Sequence, residues 1–289
     1  PVTKVNATAK IFPDLDGEPG HVFITANDIG LEADLADLGN DHPLAKAVQI
    51  TLDAVAPRQV PAFRLQIDSA IPVSAGMGSS AAISVAIIRA LSAFLGGPLS
   101  PKEISDMAYE VEKIHHGTPS GIDNNVIAHQ KPVFFIKNES VQFLNIEKSS
   151  HWIIADTGEK TPTRETVSAV RALHAADKQH YSKIFEKIGA LTQKAQAALK
   201  QGELSALGWL MNENQRLLKQ LNVSSPGLDT LIQAARSAGA AGAKLSGGGR
   251  GGNMIALAEP GKIKTIEKAL IEAGAERTIS TKLTDGRIS

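Results

Sequence analysis

Pro72-Val73-Ser74-Ala75-Gly76-Met77-Gly78-Ser79-Ser80 runs straight into Ala81-Ala82-Ile83-Ser84-Val85-Ala86-Ile87-Ile88, and the reading of this junction decides the fold. Phe63, Leu65 and Ile67 alternate as a strand just before it, while the residues after it are too apolar for a surface helix. The pattern predicts a strand, a glycine-serine turn and a buried helix. At such a junction the unpaired N–H groups of the first helical turn and the positive end of the helix dipole converge on one point, which suits an anion. Glycine lets the backbone approach a phosphate closely, and the hydroxyls of Ser79 and Ser80 suit phosphate oxygens or Mg²⁺. A plain helix start capped by serine is the alternative reading of the same residues. Two other phosphate patterns fail. A dinucleotide G-x-G-x-x-A needs a second strand ending in an acid, but this helix runs to Leu95 and a turn follows; a Walker loop needs a lysine after its glycines.

Outward from the junction, residues 2–12 and His21-Val22-Phe23-Ile24-Thr25 alternate and are rich in β-branched side chains, which predicts a β-hairpin. Asp14-Leu15-Asp16-Gly17 between them reads as a surface turn, because Thr25 stands where a calcium loop requires a bidentate Glu. Residues 41–56 follow helical spacing. Ser100-Pro101-Lys102-Glu103 combines an N-cap, a proline at the first helical position and a capping-box Glu. The helix it starts packs through Ile104, Met107, Ala108, Val111 and Ile114, with Glu112 at the flank of that stripe and expected to be partly buried. Strands are expected at 132–137, 141–146 and 152–156, and helices at 164–175, 181–200, 205–221 and 227–238. A strand, glycine-rich loop and strand follow over 243–257, then a helix at 261–273 and a strand at 277–283. The change from a mixed half to a helix-rich half places a domain boundary near residue 150, giving an N-terminal domain over 1–150 and a C-terminal domain over 151–289.

Composition narrows the function. The 289 residues carry 30 Lys+Arg against 30 Asp+Glu and no Cys. A balanced charge leaves no field to hold a polyanion, so nucleic acid is not an expected partner. Without Cys there is no disulfide scaffold, thiolate metal site or Cys nucleophile, and a reducing cytoplasm is the expected compartment. No segment approaches the roughly 20 apolar residues that span a bilayer, so no membrane association is expected.

Two further stretches carry chemistry. His115-His116-Gly117-Thr118-Pro119-Ser120-Gly121-Ile122-Asp123-Asn124 is a rigid turn that opens a short helix and presents one carboxylate. Asp123 is a candidate base or orienting group, or an ordinary helix-start residue. The paired histidines have no third ligand at metal spacing, which argues against zinc. Lys244-Leu245-Ser246-Gly247-Gly248-Gly249-Arg250-Gly251-Gly252-Asn253-Met254 concentrates glycines whose ordering is entropically expensive, as befits a loop reserved for close backbone contact.

Together these stretches resemble the GHMP kinase superfamily, named for galactokinase, homoserine kinase, mevalonate kinase and phosphomevalonate kinase. Residues 72–82 are similar to its P-x-x-x-G-L-G-S-S-A-A phosphate loop, with Met77 in place of the usual Leu. Residues 244–253 are similar to its C-terminal glycine motif, with Arg250 where Gly is usual and Asn253 where Cys is frequent. Residues 112–124, E-K-I-H-H-G-T-P-S-G-I-D-N, resemble the E-R-x-x-H-G-x-P-S-G-x-D-N of the mevalonate kinases in particular. Asp156-Thr157-Gly158 and Thr163-Arg164 also fit, so the likeness spans nearly the whole chain.

The resemblance implies an α+β, two-domain fold: a mixed α/β N-terminal domain (ribosomal protein S5 domain 2-like) and a helix-rich, ferredoxin-like C-terminal domain, with ATP held between them. It implies that Gly76, Gly78, Ser79 and Ser80 hold the ATP phosphates, that Ser80 and Glu112 ligate Mg²⁺, and that Asp123 meets the attacking hydroxyl. Gly247, Gly248 and Gly249 would close the site from the other domain, and Arg164 is a candidate partner for the acceptor's carboxylate. The implied reaction is ATP-dependent phosphorylation of mevalonate in isoprenoid synthesis. Another small-molecule kinase of the superfamily, or a nucleotide-binding relative with little turnover, are the alternatives, and a homodimer is left open. The family's first motif, P-G-K…G-E-H with its lysine, has no match here, and Pro1-Val2-Thr3-Lys4-Val5 is similar to the strand that follows it. The expectation is a chain lacking its upstream segment and turning over poorly without it.

Overall fold

The computed structural model describes residues 5–71, 77–116, 119–137, 139–159 and 161–284. Two compact units emerge, one built from Pro1–Pro72 and Gly78–Gln142, the other mainly from Phe143–Ser289. Among the described residues no helix is long and apolar enough to cross a membrane.

In the first unit β1 (Ala7–Pro13), β2 (Val22–Ala26), β3 (Leu31–Asp34) and β4 (Phe63–Ser69) form one sheet in the order β1-β4-β2-β3. The expected hairpin of β1 with β2 is therefore wrong, because β4 lies between them, antiparallel to β1 and parallel to β2. The reason lies in burial. Phe63, Leu65 and Ile67 are at most 1% exposed, so β4 needs a neighbour on each side. The linker after β1 is held by the chain leading into β4, through Asp14 N–H to the Ala62 carbonyl (2.9 Å) and Gly20 N–H to that of Val60 (2.9 Å).

Helices α1 (Pro43–Val55), α2 (Ser79–Phe94) and α3 (Pro101–His116) contribute Leu44, Val48, Ile87, Leu91 and Val111 to the core over this sheet. α2 is buried, as its apolar run requires. Its outer side, Val85 and Ile88, packs with Ile104 and Ala108 of α3 and Ala128 of α4 (Ile122–His129). The capping box of α3 forms: Ser100 N–H donates to Glu103 Oε2 (2.8 Å), and Glu103 N–H to Ser100 Oγ (3.3 Å). The strands expected at 132–137 and 141–146 shrink to a short ladder, β5 (Val133–Phe134) with β6 (Gln142–Phe143), because Glu139 N–H bonds back to Ile136 and turns the chain.

The second unit contains β7 (Ser150–Asp156), α5 (Thr163–Ala176), α6 (Lys178–Gln201), α7 (Leu204–Gln220), α8 (Pro226–Ser237), β8 (Gly242–Ser246), β9 (Asn253–Ala258), α9 (Ile263–Glu272) and β10 (Arg277–Leu283). The sheet order β10-β7-β9-β8, with every neighbour antiparallel, is the ferredoxin-like one. One face, with Ile153, Ala155, Leu245 and Met254, packs on Leu228 and Leu231 of α8 and Ile266 and Leu270 of α9. On the other, Trp152 and Leu257 meet Leu207, Leu210 and Met211 of α7. The exposed edge of β8 is closed by α7 itself: Asn212 Oδ1 accepts from Ala243 N–H (3.1 Å) and Gln215 Oε1 from Leu245 N–H (2.9 Å). That is an edge strand satisfied by side-chain amides.

Candidate active site

The first group of site residues gathers at the N-terminus of α2. Gly78 is its N-cap, in the left-handed region at φ 69°, and its carbonyl accepts the first helical bond from Ala82 (2.9 Å). Ser79 and Ser80 follow, half-buried, in a first turn that contains no acidic side chain. Gly76 lies outside the described residues. Asp123, an exposed residue in the first turn of α4, comes against this turn: a Cβ built on Gly78 would sit 3.2 Å from Asp123 Cγ. Two helix N-termini thus face one carboxylate, and both favour negative charge there.

Glu112 is only 5% exposed on α3, deeper than a flanking position suggests. A carboxylate in that setting must be met by donors or a cation. Among the described residues no group of three His, Cys, Asp or Glu could hold a metal, so an ion here would take one carboxylate and a hydroxyl, completed by a ligand's own oxygens. Hard oxygen donors of this kind, Glu112 and Ser80 on the neighbouring helices α3 and α2, fit Mg²⁺.

In the second unit the glycine loop joins β8 to β9 and is braced from both sides. Gly249 is buried at φ 83°, and a Cβ there would fall 2.1 Å from the Val223 carbonyl oxygen, so no other residue fits. Gly247 is exposed and Gly248 half-buried against Thr163. Thr161 Oγ1 donates to the Arg250 carbonyl (2.6 Å), Gly252 N–H to that of Glu159 (2.8 Å), and Thr157 N–H to that of Gly252 (2.9 Å). The Arg250 side chain folds back, with Nε donating to the Asn222 carbonyl (3.1 Å). Asp156, buried at the base of this region, is held by Arg277 through Nε (3.2 Å) and a terminal nitrogen (3.0 Å). Lys244, just before the loop, donates to the Leu245 carbonyl (2.6 Å); burial of its amine lowers its pKa from the usual 10.5 to about 8.

Comparison with known proteins follows the same division. Residues 43–130 match the GHMP kinases N terminal domain and residues 195–276 the GHMP kinases C terminal domain. A mevalonate kinase of Pyrococcus furiosus is 35% identical over 267 residues, covering 90% of this chain and 78% of that protein. The chain belongs to the GHMP kinases. A mevalonate kinase of Pyrococcus horikoshii is 39% identical over 217 residues, 73% of this chain and 63% of its own length. Among solved structures, the L. major mevalonate kinase in complex with R-mevalonate superposes with a TM-score of 0.81 at 27% identity, covering 97% of this chain and 86% of that one. The Methanococcus jannaschii mevalonate kinase gives 0.81 at 26% identity, covering 96% and 88%. As in those relatives by name, this GHMP kinase is a phosphotransferase of mixed α and β structure.

Three polar side chains around α4 are given no role by the sequence. Asn124 and Ser105 are 3% and 1% exposed and bond to each other, and Arg89 of α2 reaches the Ala128 carbonyl (2.9 Å). The available signals were a serine inside the apolar stripe of α3 and an amide next to the one carboxylate of the turn.

Proposed function

We propose that this GHMP kinase transfers the γ-phosphoryl group of ATP to the primary hydroxyl of mevalonate, giving 5-phosphomevalonate and ADP. The observation that supports the reading is the nearness of Asp123 to Gly78, the N-cap of α2: a Cβ on Gly78 would lie 3.2 Å from Asp123 Cγ. The relatives named mevalonate kinase support the choice of acceptor.

The amides at the start of α2 orient the phosphates. Asp123 accepts a hydrogen bond from the acceptor hydroxyl and takes its proton as the oxygen bonds to the γ-phosphorus and the bridge to the β-phosphate breaks. Bound Mg²⁺, held by Ser80 and Glu112, would neutralise charge on the phosphate oxygens. Steady-state ADP release with ATP and mevalonate, phosphomevalonate, galactose or homoserine tests the reading. Mevalonate should give the highest kcat/KM; a higher value with another acceptor overturns it.

A further inference from the structure

We propose that Asn124 and Arg89 are positioning residues that clamp α4 at both ends and thereby hold Asp123 against the start of α2. The inference deepens the kinase reading and rests on it.

The apolar anchor of α4 is small: Ala128 is buried and Ile127 half-buried against Val85, Ile88, Ile104 and Ala108. Both lie in its second half, so the turn that carries Asp123 relies on polar contacts. Asn124 supplies the direction: Nδ2 donates to both the carbonyl (3.0 Å) and Oγ (2.9 Å) of Ser105 on α3. Arg89 supplies the other end, donating to the Ala128 carbonyl (2.9 Å) in the last turn of α4, where the dipole favours a cation. Within the turn, Asn125 Nδ2 donates to the Gly121 carbonyl (2.7 Å). Beside the turn lies a cavity of about 350 Å³ lined by Tyr109, Ser120, Gly121, Asn124 and Phe135, so that side of the helix start is only partly filled.

The choice of partner links the two carboxylates. Ser105 and Glu112 occupy i and i+7 positions on α3, two turns apart on one stripe, and both are buried. The helix that carries Glu112 therefore also grips the helix that carries Asp123. Hydrogen bonds lose strength quickly with angle, so this clamp adds a directional restraint to the apolar packing of Ile127 and Ala128. Alignment matters here because a displacement of about 1 Å at a reacting group can lower a rate by about 10².

The test measures Asn124→Ala and Arg89→Met in the full chain, each with Asp123 present and with Asp123→Asn. With Asp123, kcat should fall about tenfold or more while KM for ATP stays within about twofold. With Asp123→Asn the same changes should alter kcat less than about twofold, because they act through that carboxylate. Arg89→Lys should restore part of the loss. Thr51→Ala, which removes a buried α1 hydroxyl bonded to the Ala47 carbonyl, is the measure of general destabilisation and should leave kcat unchanged. Equal losses in both Asp123 backgrounds, or no loss at all, would overturn the clamp. Should Asn124→Ala fail to fold, Arg89→Met decides alone. Amide hydrogen exchange across 122–129 separates the two proposals: faster exchange in the variants supports the clamp, and unchanged exchange overturns it, whichever acceptor the parent enzyme turns over.

Discussion

Gly78 and Asp123 are close neighbours: the position of a Cβ on Gly78 lies 3.2 Å from Asp123 Cγ and 3.3 Å from its Cβ. A side chain added at the start of α2 would therefore press on the carboxylate that opens α4. The glycine is fixed twice, by this contact and by its left-handed φ of 69°.

Gly78→Val should abolish nucleotide binding. The branched side chain must enter the space of Asp123 or the space a phosphate would take, and a β-branched residue strains at positive φ. Calorimetric titration with a non-hydrolysable ATP analogue, on protein with parent-like circular dichroism, reads the result. Gly78→Ala, a milder intrusion, gives a second reading if valine prevents folding. Undiminished affinity in both would dismiss the phosphate-binding role of this turn.

Asp123→Asn keeps the size of the side chain and removes its charge. Turnover should drop by about 10²-fold or more, as expected for a group that accepts a proton in the transition state, while analogue affinity changes little. A variant as fast as the parent would mean that Asp123 serves only as a helix-start residue.

What the sequence discloses and what it hides divide along contact range. The capping box at Ser100 and Glu103 and the burial of α2 are local, and both are present where the pattern predicts them. The pairing of β1 is not local: its partner β4 lies far along the chain, and proximity in sequence to β2 misdirects the reading toward a hairpin. β3, only Leu31-Glu32-Ala33-Asp34 with two acids, lacks the apolar alternation of a strand and is held by pairing with β2. Around the site, Gly78, Glu112 and Asp123 could be named from motif, but the Ser105 to Asn124 bond spans a turn and two helices. A buried serine resembles any small residue on an apolar stripe until its partner is seen. The braces on the glycine loop, from Val223 and Glu159, are backbone carbonyls and leave no trace in residue type.

Glu112→Gln should raise the Mg²⁺ concentration needed for half-maximal activity, since a neutral amide is a poorer ligand for a hard cation. Ser80→Ala should act in the same direction. Activity titrated with Mg²⁺ at saturating ATP measures both. If neither curve moves, Glu112 is a buried structural carboxylate and the ion is held elsewhere.

Lys244 yields a prediction that is independent of turnover. Its amine bonds to one carbonyl and is desolvated, so its pKa in the folded chain falls to about 8 from the usual 10.5. Below about pH 8 the amine is charged in both folded and unfolded chains, and the desolvation penalty is present in full. Between those two values the unfolded chain keeps the proton that the folded chain has released, so this group makes stability rise with pH. Above 10.5 both forms are neutral and the penalty is gone. Lys244→Met removes the titration while keeping an unbranched side chain of similar reach. Relative to the parent, the variant should therefore be favoured most at pH 7, and its advantage should shrink by pH 10. Urea unfolding at both pH values reads the difference, which a shift of this size makes equivalent to a few kcal/mol. A stability difference that stays constant from pH 7 to pH 10 would show that the Lys244 amine is solvated, and that the strand before the glycine loop carries an ordinary surface cation.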